Sequence, residues 1–421
     1  MADTLYFSRD TKVYLQMTTA QGGADTVWEI PILDGFSFSQ ATNTSEITLS
    51  EAVLQAGTST VVGKSRRSRQ MFTDSYAPAE WSFSTYVRPF LAVNGVTGGW
   101  EASGSDNTHH SVEEALWANF ASNPVFTPSS GSTEATWKAI DPHTTGLTAD
   151  HTVVSGGSKA SIINFAASEV AELGTFDLHF ELGDENASAT KANYKIADCV
   201  VNEVTIDFDI DGIATLNWSG FGRIITDDSV VTATITEKVD SDTNMIRNRL
   251  TTLEITDGST AYDITLTGGN ITFTNNITFL TPETLGVINQ PLGHVTGTRS
   301  ITGNFTAYLN KENDSTAELF ETIIENTSGT GSITNSHNIR FNIGGTPSGS
   351  FDATASNYPT GGQVFPSVVI SLPKCHLEVP VHQIDDVISL ETSFHALPAD
   401  IDPAQTETHY EALIIYSFKS Q

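Results

Sequence analysis

Three short runs carry residue types that could do chemistry. Asp207-Phe208-Asp209-Ile210-Asp211-Gly212 opens like a calcium loop, with carboxylates on alternate residues and a glycine at the sixth place. The twelfth place, where such a loop needs a bidentate glutamate, is Trp218, and the apolar residues between the aspartates alternate as on a strand that ends at a turn. His109-His110 has no partner Cys, His or carboxylate at ligand spacing and directly precedes a helix-start signal, so it reads as a solvated pair. Lys64, Arg66, Arg67 and Arg69 form the sharpest local charge contrast in a chain with only 20 Lys+Arg. They read either as a solvated loop or as a contact for an acidic surface. No phosphate-binding Gly-Lys-Ser/Thr loop, Gly-x-Ser-x-Gly elbow or Cys–His nucleophile signature occurs, so no enzyme, cofactor or metal is expected.

Composition narrows the class further. The 421 residues exceed one ordinary domain, and 38% hydrophobic content suffices for real cores. Lys+Arg of 20 against Asp+Glu of 50 gives a formal charge of −30, which argues against wrapping nucleic acid, where cationic contacts to phosphate supply most of the affinity. Only 17% of residues are charged, leaving a polar surface of Ser, Thr and Asn that suits strands and turns. No apolar run is long enough to span a bilayer. Met1-Ala2-Asp3-Thr4 lacks a basic or apolar leader pattern, and Cys199 and Cys375 are too few for a disulfide framework. The expectation is a protein that is cytosolic when made, with both thiols reduced and buried.

The elements that position these residues are strands. Leu5-Tyr6-Phe7 and Val13-Tyr14-Leu15 read as an N-terminal pair. Val27-Trp28-Glu29-Ile30-Pro31-Ile32 and Phe36-Ser37-Phe38-Ser39-Gln40-Ala41 flank Asp34-Gly35, which predicts a hairpin. Beyond the basic cluster, Glu80-Trp81-Ser82-Phe83-Ser84-Thr85-Tyr86 predicts a strand returning to the same sheet. Ser111-Val112-Glu113-Glu114 is a capping box, and Val112, Leu116 and Phe120 fall on one face of a short amphipathic helix. The stretch 123–159 is rich in Ser, Thr, Gly and Pro and reads as an insertion. Strands follow at 162–165, 176–180 and 194–219, the last with a turn at Asp211-Gly212.

From Leu250 the order recurs. Tyr262-Asp263-Ile264-Thr265-Leu266, Gly268-Gly269 and Ile271-Thr272-Phe273 match the first flanks and turn. Asn304-Phe305-Thr306-Ala307-Tyr308 matches the returning strand. Ser315-Thr316-Ala317-Glu318 opens a second helix with the stripe Leu319, Phe320, Ile323, Ile324, and Cys375-His376-Leu377 echoes Cys199-Val200-Val201. A repeat of this length is a duplicated domain. The expected organisation is 1–235 with an insertion around 123–159, an acidic connector, and 246–421.

Trp28-Glu29-Ile30-Pro31-Ile32-Leu33-Asp34-Gly35-Phe36-Ser37-Phe38, the 43–51 continuation and Tyr76-Ala77-Pro78-Ala79-Glu80-Trp81-Ser82-Phe83-Ser84-Thr85-Tyr86-Val87-Arg88-Pro89-Phe90 resemble the tail tube proteins of long-tailed bacteriophages. The resemblance implies an all-β chain of two tandem β-sandwich or barrel-like tail-tube domains, each with one short α-helix. It also implies a structural virion subunit of the phage tail that self-associates into stacked rings, three copies being favoured by the duplication and six the alternative. Phage DNA would pass through the lumen without specific binding, and tail terminator, baseplate and sheath proteins would be neighbours. Lys64, Arg66, Arg67 and Arg69 would then lie on a loop that contacts the next ring. The rival readings are an acidic two-domain adhesin or carbohydrate-binding module, with Trp100 and Trp137 as platforms, and a tube-capping terminator or baseplate part.

Overall fold

The computed structural model describes residues 8–17, 26–47, 52–54, 61–65, 70–92, 108–121, 126–127, 136–137, 140–143, 146–147, 153–154, 160–166, 173–183, 191–228, 231, 235–236, 245–258, 260–285, 288–328, 337–344, 364–384, 387–398 and 410–420. The first half contains strands Lys12–Met17 (β1), Thr26–Ile30 (β2), Ser37–Ile47 (β3) and Gln70–Tyr86 (β4). After helix Glu114–Ala121 (α1) come Ala160–Ala166 (β5), Phe176–Leu182 (β6), Ala192–Phe208 (β7) and Thr215–Gly222 (β8). The second half contains Thr252–Asp257 (β9), Thr260–Ile264 (β10), Leu266–Thr274 (β11) and Ser300–Tyr308 (β12). After helix Thr316–Ser328 (α2) come His337–Ile343 (β13), Val364–Leu377 (β14), Val381–Ile384 (β15), Ile388–Ala396 (β16) and Tyr410–Ser420 (β17). Shorter strands lie between them, and the fold is all-β.

The long-strand pairings form the same pattern twice and are antiparallel; the short strand Ile235–Thr236 adds a parallel pairing to β2. In the first half one sheet runs β2–β1–β6–β7 and the other β3–β4–β8–β7. In the second half one runs β10–β9–β13–β14 and the other β11–β12–β16–β14, with β15 also on β16. Cys199 and Cys375 hold the same place. Each Sγ lies against the carbonyl three residues earlier, Ile196 and Leu372, and each sits where the register with the preceding strand breaks. Burial pushes both thiols up, so they are inert.

Among the described residues two strand pairings join the halves, beside the isolated bridges Ser75–Asn289 and Ile213–Arg247. The C-terminal half of β7 pairs with β11, Glu203 opposite Thr274 through Phe208 opposite Gly269, so the second sheet of each half merges into one. Strand β17 pairs with β14 on one side and with β5 on the other, which carries the outer sheet of the second half onto the first.

Several local readings change at this level. Asp34-Gly35 is no hairpin turn: β2 pairs with β1 and β3 with β4, so the chain there crosses between sheets. The same crossing separates β10 from β11. A glycine turn signals a change of direction but not which sheet receives the next strand. Of the expected N-terminal pair, 5–7 lies outside the described residues, and Val13–Leu15 pairs with β2 and β6 instead. Helix α1 is not amphipathic: all eight residues are buried, because β5, β7 and β17 enclose it. The stretch 123–159 contains short strands, and Thr136–Trp137 leads through Ile140–His143 to β5 and so to the second half.

The core is dominated by aromatics. Trp28, Trp81, Trp117 and Trp218 are fully buried. Trp117 meets Trp218 edge-on at 4.9 Å, Phe273 at 6.0 Å, and Phe120 and Phe165 at 6.1 and 6.2 Å, contacts worth roughly 0.5–1.5 kcal/mol each beyond their buried area. Its Nε1 donates to the Tyr416 hydroxyl at 2.9 Å. Residues from both halves thus close on one indole.

A cation-free sheet face as the candidate functional site

The merged sheet β3–β4–β8–β7–β11–β12–β16 turns alternate residues inward and outward, as the strand period requires. Trp81 and Phe83, Leu216 and Trp218, Val204 and Ile206, Ile271 and Phe273, Phe305 and Phe394 point into the core. The other face presents Ser82 and Ser84 on β4, Asn217 and Ser219 on β8, Thr205 and Asp207 on β7, Thr272 on β11 and Thr306 on β12, none of them buried.

Side chains on this face are hydrogen-bonded from strand to strand. Ser37 and Ser82 hydroxyls meet at 2.8 Å, Ser84 Oγ donates to Asn217 Oδ1 at 2.7 Å, and Asn217 Nδ2 donates to Asp207 Oδ2 at 2.8 Å. Thr205 and Thr272 Oγ1 atoms lie 3.0 Å apart across the seam between the halves, and Thr274 Oγ1 donates to Glu203 Oε2 at 3.4 Å. Such cross-strand pairs contribute about 0.2–1 kcal/mol each and hold the register.

The charge on these strands has one sign. Glu46, Asp74, Glu80, Asp198, Glu203, Asp207 and Glu391 are their ionisable carboxylates, and neither β3, β4, β8, β11, β12, β15 nor β16 contains a Lys or Arg; nor does β7 beyond Lys195. Cations near these strands are paired: Lys191 with Glu181 and Lys195 with Asp177, each at 2.6 Å, on the outer sheet, Arg223 just past β8 with Asp198 at 2.6 Å, and Arg299 just before β12 with Glu411 at 2.8 Å. The segregation could be read from the sequence, since strands without a Lys or Arg are visible there, but only the pairing order puts them side by side.

The sequence candidates are placed as follows. Lys64 lies in the short strand Val61–Ser65, paired with Ala52–Leu54, and Arg66, Arg67 and Arg69 lie outside the described residues. The Asp-rich run ends β7: Asp207 accepts from Asn217, and Asp209 Oδ1 accepts from the amide of Ile210 at 2.7 Å. His109 and His110 are strand residues opposite Leu91 and Phe90, not a helix start. Trp100 lies outside the described residues, and Trp137 pairs with Phe126 and Ile140. Among the described residues no group of three His, Cys, Asp or Glu could hold a metal ion, and no helix is long and apolar enough to cross a membrane.

The buried charge near α1 escaped sequence reading. Glu113 is fully buried, its Oε2 accepts from Ser111 Oγ at 2.8 Å, and its carboxyl is pushed up to about 7 by burial, against the pull of Arg88 and the Ser111 hydroxyl. Ser111 Oγ also accepts from the Glu113 amide at 3.2 Å, and the Glu113 carbonyl takes the amides of Leu116 and Trp117.

The class defined by this geometry is an all-β protein whose distinguishing surface is one extended, cation-free sheet face built by both halves. No protein-family model matches the chain. The tail tube protein pb6 of Escherichia phage T5 is 28% identical to it over 410 residues, covering 95% of this chain and 74% of that protein. Likeness of this extent supports a phage tail tube protein family, with the chain as a structural tail tube subunit and a component of the virion tail.

Proposed function

We propose that three copies of the chain close into a ring of pseudo-sixfold symmetry, that rings stack into a hollow tube, and that the cation-free face lines the bore through which phage DNA passes. The reading takes 1–235 and 246–421 as two copies of one fold unit, supported by the recurrence of the pairing order. The observation that carries it is the single sheet running through both halves with hydroxyls, amides and carboxylates on its open face and no Lys or Arg.

The physics follows from DNA's own charge. Duplex DNA carries about one phosphate per 1.7 Å of axis, and affinity for it comes largely from cations that displace its counterions. A wall with none offers no such contact. Sparse carboxylates repel the duplex over a range of about 10 Å at 0.1 M salt. The wall needs no catalytic group, cofactor or metal. Its neighbours along the tail would be terminator, baseplate and sheath proteins.

Axial stacking is assigned to the tip of the β3–β4 hairpin. Lys64, Arg66, Arg67 and Arg69 lie on the segment joining these strands, and Ile47, Met71 and Phe72 beside it are exposed. Arg66→Glu/Arg67→Glu is expected to leave the subunit folded and shorten the tubes, and unchanged tube lengths in electron micrographs would overturn that assignment. The whole reading is tested by negative-stain microscopy of the purified protein at rising concentration. Hollow tubes are expected. Monodisperse single particles that bind glycans would replace the reading with an adhesin.

A further inference from the structure

The seam between the halves is a template for the seam between chains. Within one chain, β7 meets β11 with Thr205 opposite Thr272, Ile206 opposite Ile271, Asp207 opposite Asn270 and Phe208 opposite Gly269. Each of those strands has a counterpart at an open end of the merged sheet. Counted forward from the equivalent cysteines Cys199 and Cys375, Thr205 corresponds to Val381 and Phe208 to Ile384. The neighbouring strands agree: Thr205 faces Asn217 on β8, and Val381 faces Glu391 on β16. At the other end, Ser82 faces Ser37 on β3 as Asn304 faces Asn270 on β11, so Ser39 corresponds to Thr272.

Exposure marks both ends as incomplete. Phe208, covered by the internal seam, is 5% exposed, whereas Ile384 is 78% exposed. Ile206 is 1% exposed and its counterpart His382 is exposed. Val381 is 64% exposed, and Ile271 is fully buried where its counterpart Phe38 is only half-buried. Among the described residues β15 pairs with β16 alone and β3 with β4 alone, so each leaves one edge of backbone donors and acceptors open.

We infer that β15 of one chain pairs antiparallel with β3 of a second copy in the register of the internal seam: Val381 opposite Ser39, His382 opposite Phe38, Gln383 opposite Ser37 and Ile384 opposite Phe36. The inference rests on the ring reading and adds its contact residues. A head-to-tail edge contact of this kind closes into a ring and leaves no sheet edge open. It covers Ile384 and Phe38 as the internal seam covers Phe208 and Ile271. It also places Ser39 and Val381 on the bore face, where Thr205 and Thr272 meet.

The test is a cysteine pair in the full chain. Directly opposed residues hold their Cβ atoms about 4.5–5.5 Å apart, close enough for a disulfide after slight adjustment. Ser39→Cys/Val381→Cys, assembled and mildly oxidised, is expected to lose most of its monomer band on a non-reducing gel to a ladder ending at three chains. Ser37→Cys/Val381→Cys, displaced by two residues, is expected to stay mostly monomeric. Cys199 and Cys375 are buried and silent. Thr205→Cys/Thr272→Cys, which closes within one chain, controls for oxidation. Tubes that form in the micrographs while the displaced pair cross-links and the first does not would overturn the register and spare the ring. A wild-type chain that never assembles would overturn both.

Discussion

The two helices follow the equivalent strands β4 and β12 in chain order and live in different surroundings. Helix α1 is buried on every side, with Trp117 against four aromatic rings and Asn119 Nδ2 donating to the Ala115 carbonyl at 2.7 Å. Helix α2 buries Leu319 and Ile323 and leaves Glu318, Glu321 and Ile324 exposed. Their starts differ in the same sense. Glu113 is sealed beside Arg88, whereas Glu318 is exposed, its Oε2 accepting the amide of Asp314 at 2.8 Å. One pairing pattern therefore tolerates two kinds of cover. The first half is roofed by β5 and the C-terminal β17, and the second keeps an ordinary surface helix.

The largest effect should come from that roof. Trp117→Ala is expected to cost about 3–5 kcal/mol, since it leaves a cavity and removes the indole donor from the Tyr416 hydroxyl, which keeps its bond with Ser111. Phe320→Ala, which removes a half-buried ring lying edge-on to His382, should cost about 1 kcal/mol. Equal losses in chemical denaturation would break the comparison.

Next is pH. The folded Glu113 keeps its proton up to about 7, whereas the unfolded carboxyl loses it near 4.5. Between these values the folded chain binds more protons, so stability falls as pH rises, by on the order of 3 kcal/mol in all. Glu113→Gln should flatten this part of the pH–stability curve. A curve unchanged by Glu113→Gln would show that the buried acid is not the titrating group.

The smaller effect concerns glycines that trade places with aromatics. On the β4–β8 pair Trp81 faces Gly220, and on the corresponding β12–β16 pair Gly303 faces Phe394. A Cβ on Gly220 would lie 2.1 Å from the Val200 carbonyl oxygen and 2.5 Å from the Trp81 ring, and one on Gly303 2.2 Å from the Asn270 oxygen and 2.6 Å from the Phe394 ring. Gly220→Ala and Gly303→Ala should each cost about 1–3 kcal/mol. A thermal melt unmoved by either would mean the sheet can give at that point.

Alternation and repeat order made the strands legible. Glu80-Trp81-Ser82-Phe83-Ser84-Thr85 alternates in the sequence and does so in the sheet, with Trp81 and Phe83 inward. The cysteine echo likewise marks equivalent places. What stayed hidden was non-local. No local signal tells that β17 will lie on β5, because that pairing joins residues near 160 and near 415. Nor could the stripe Val112, Leu116, Phe120 announce a helix enclosed on all sides, although the small Ala115, Ala118 and Ala121 between them permit close packing there. The cation-free face became a face only once the strand order was known.

The most direct test of the account is end-on averaging of assembled tubes by electron cryomicroscopy. Three chains should give six lobes with a threefold modulation, because the roofed and open halves differ, and a bore wall traced by β3, β4, β8, β7, β11, β12 and β16. A strictly sixfold ring of six whole chains, or a bore lined by the outer sheet that carries Lys191 and Lys195, would contradict it.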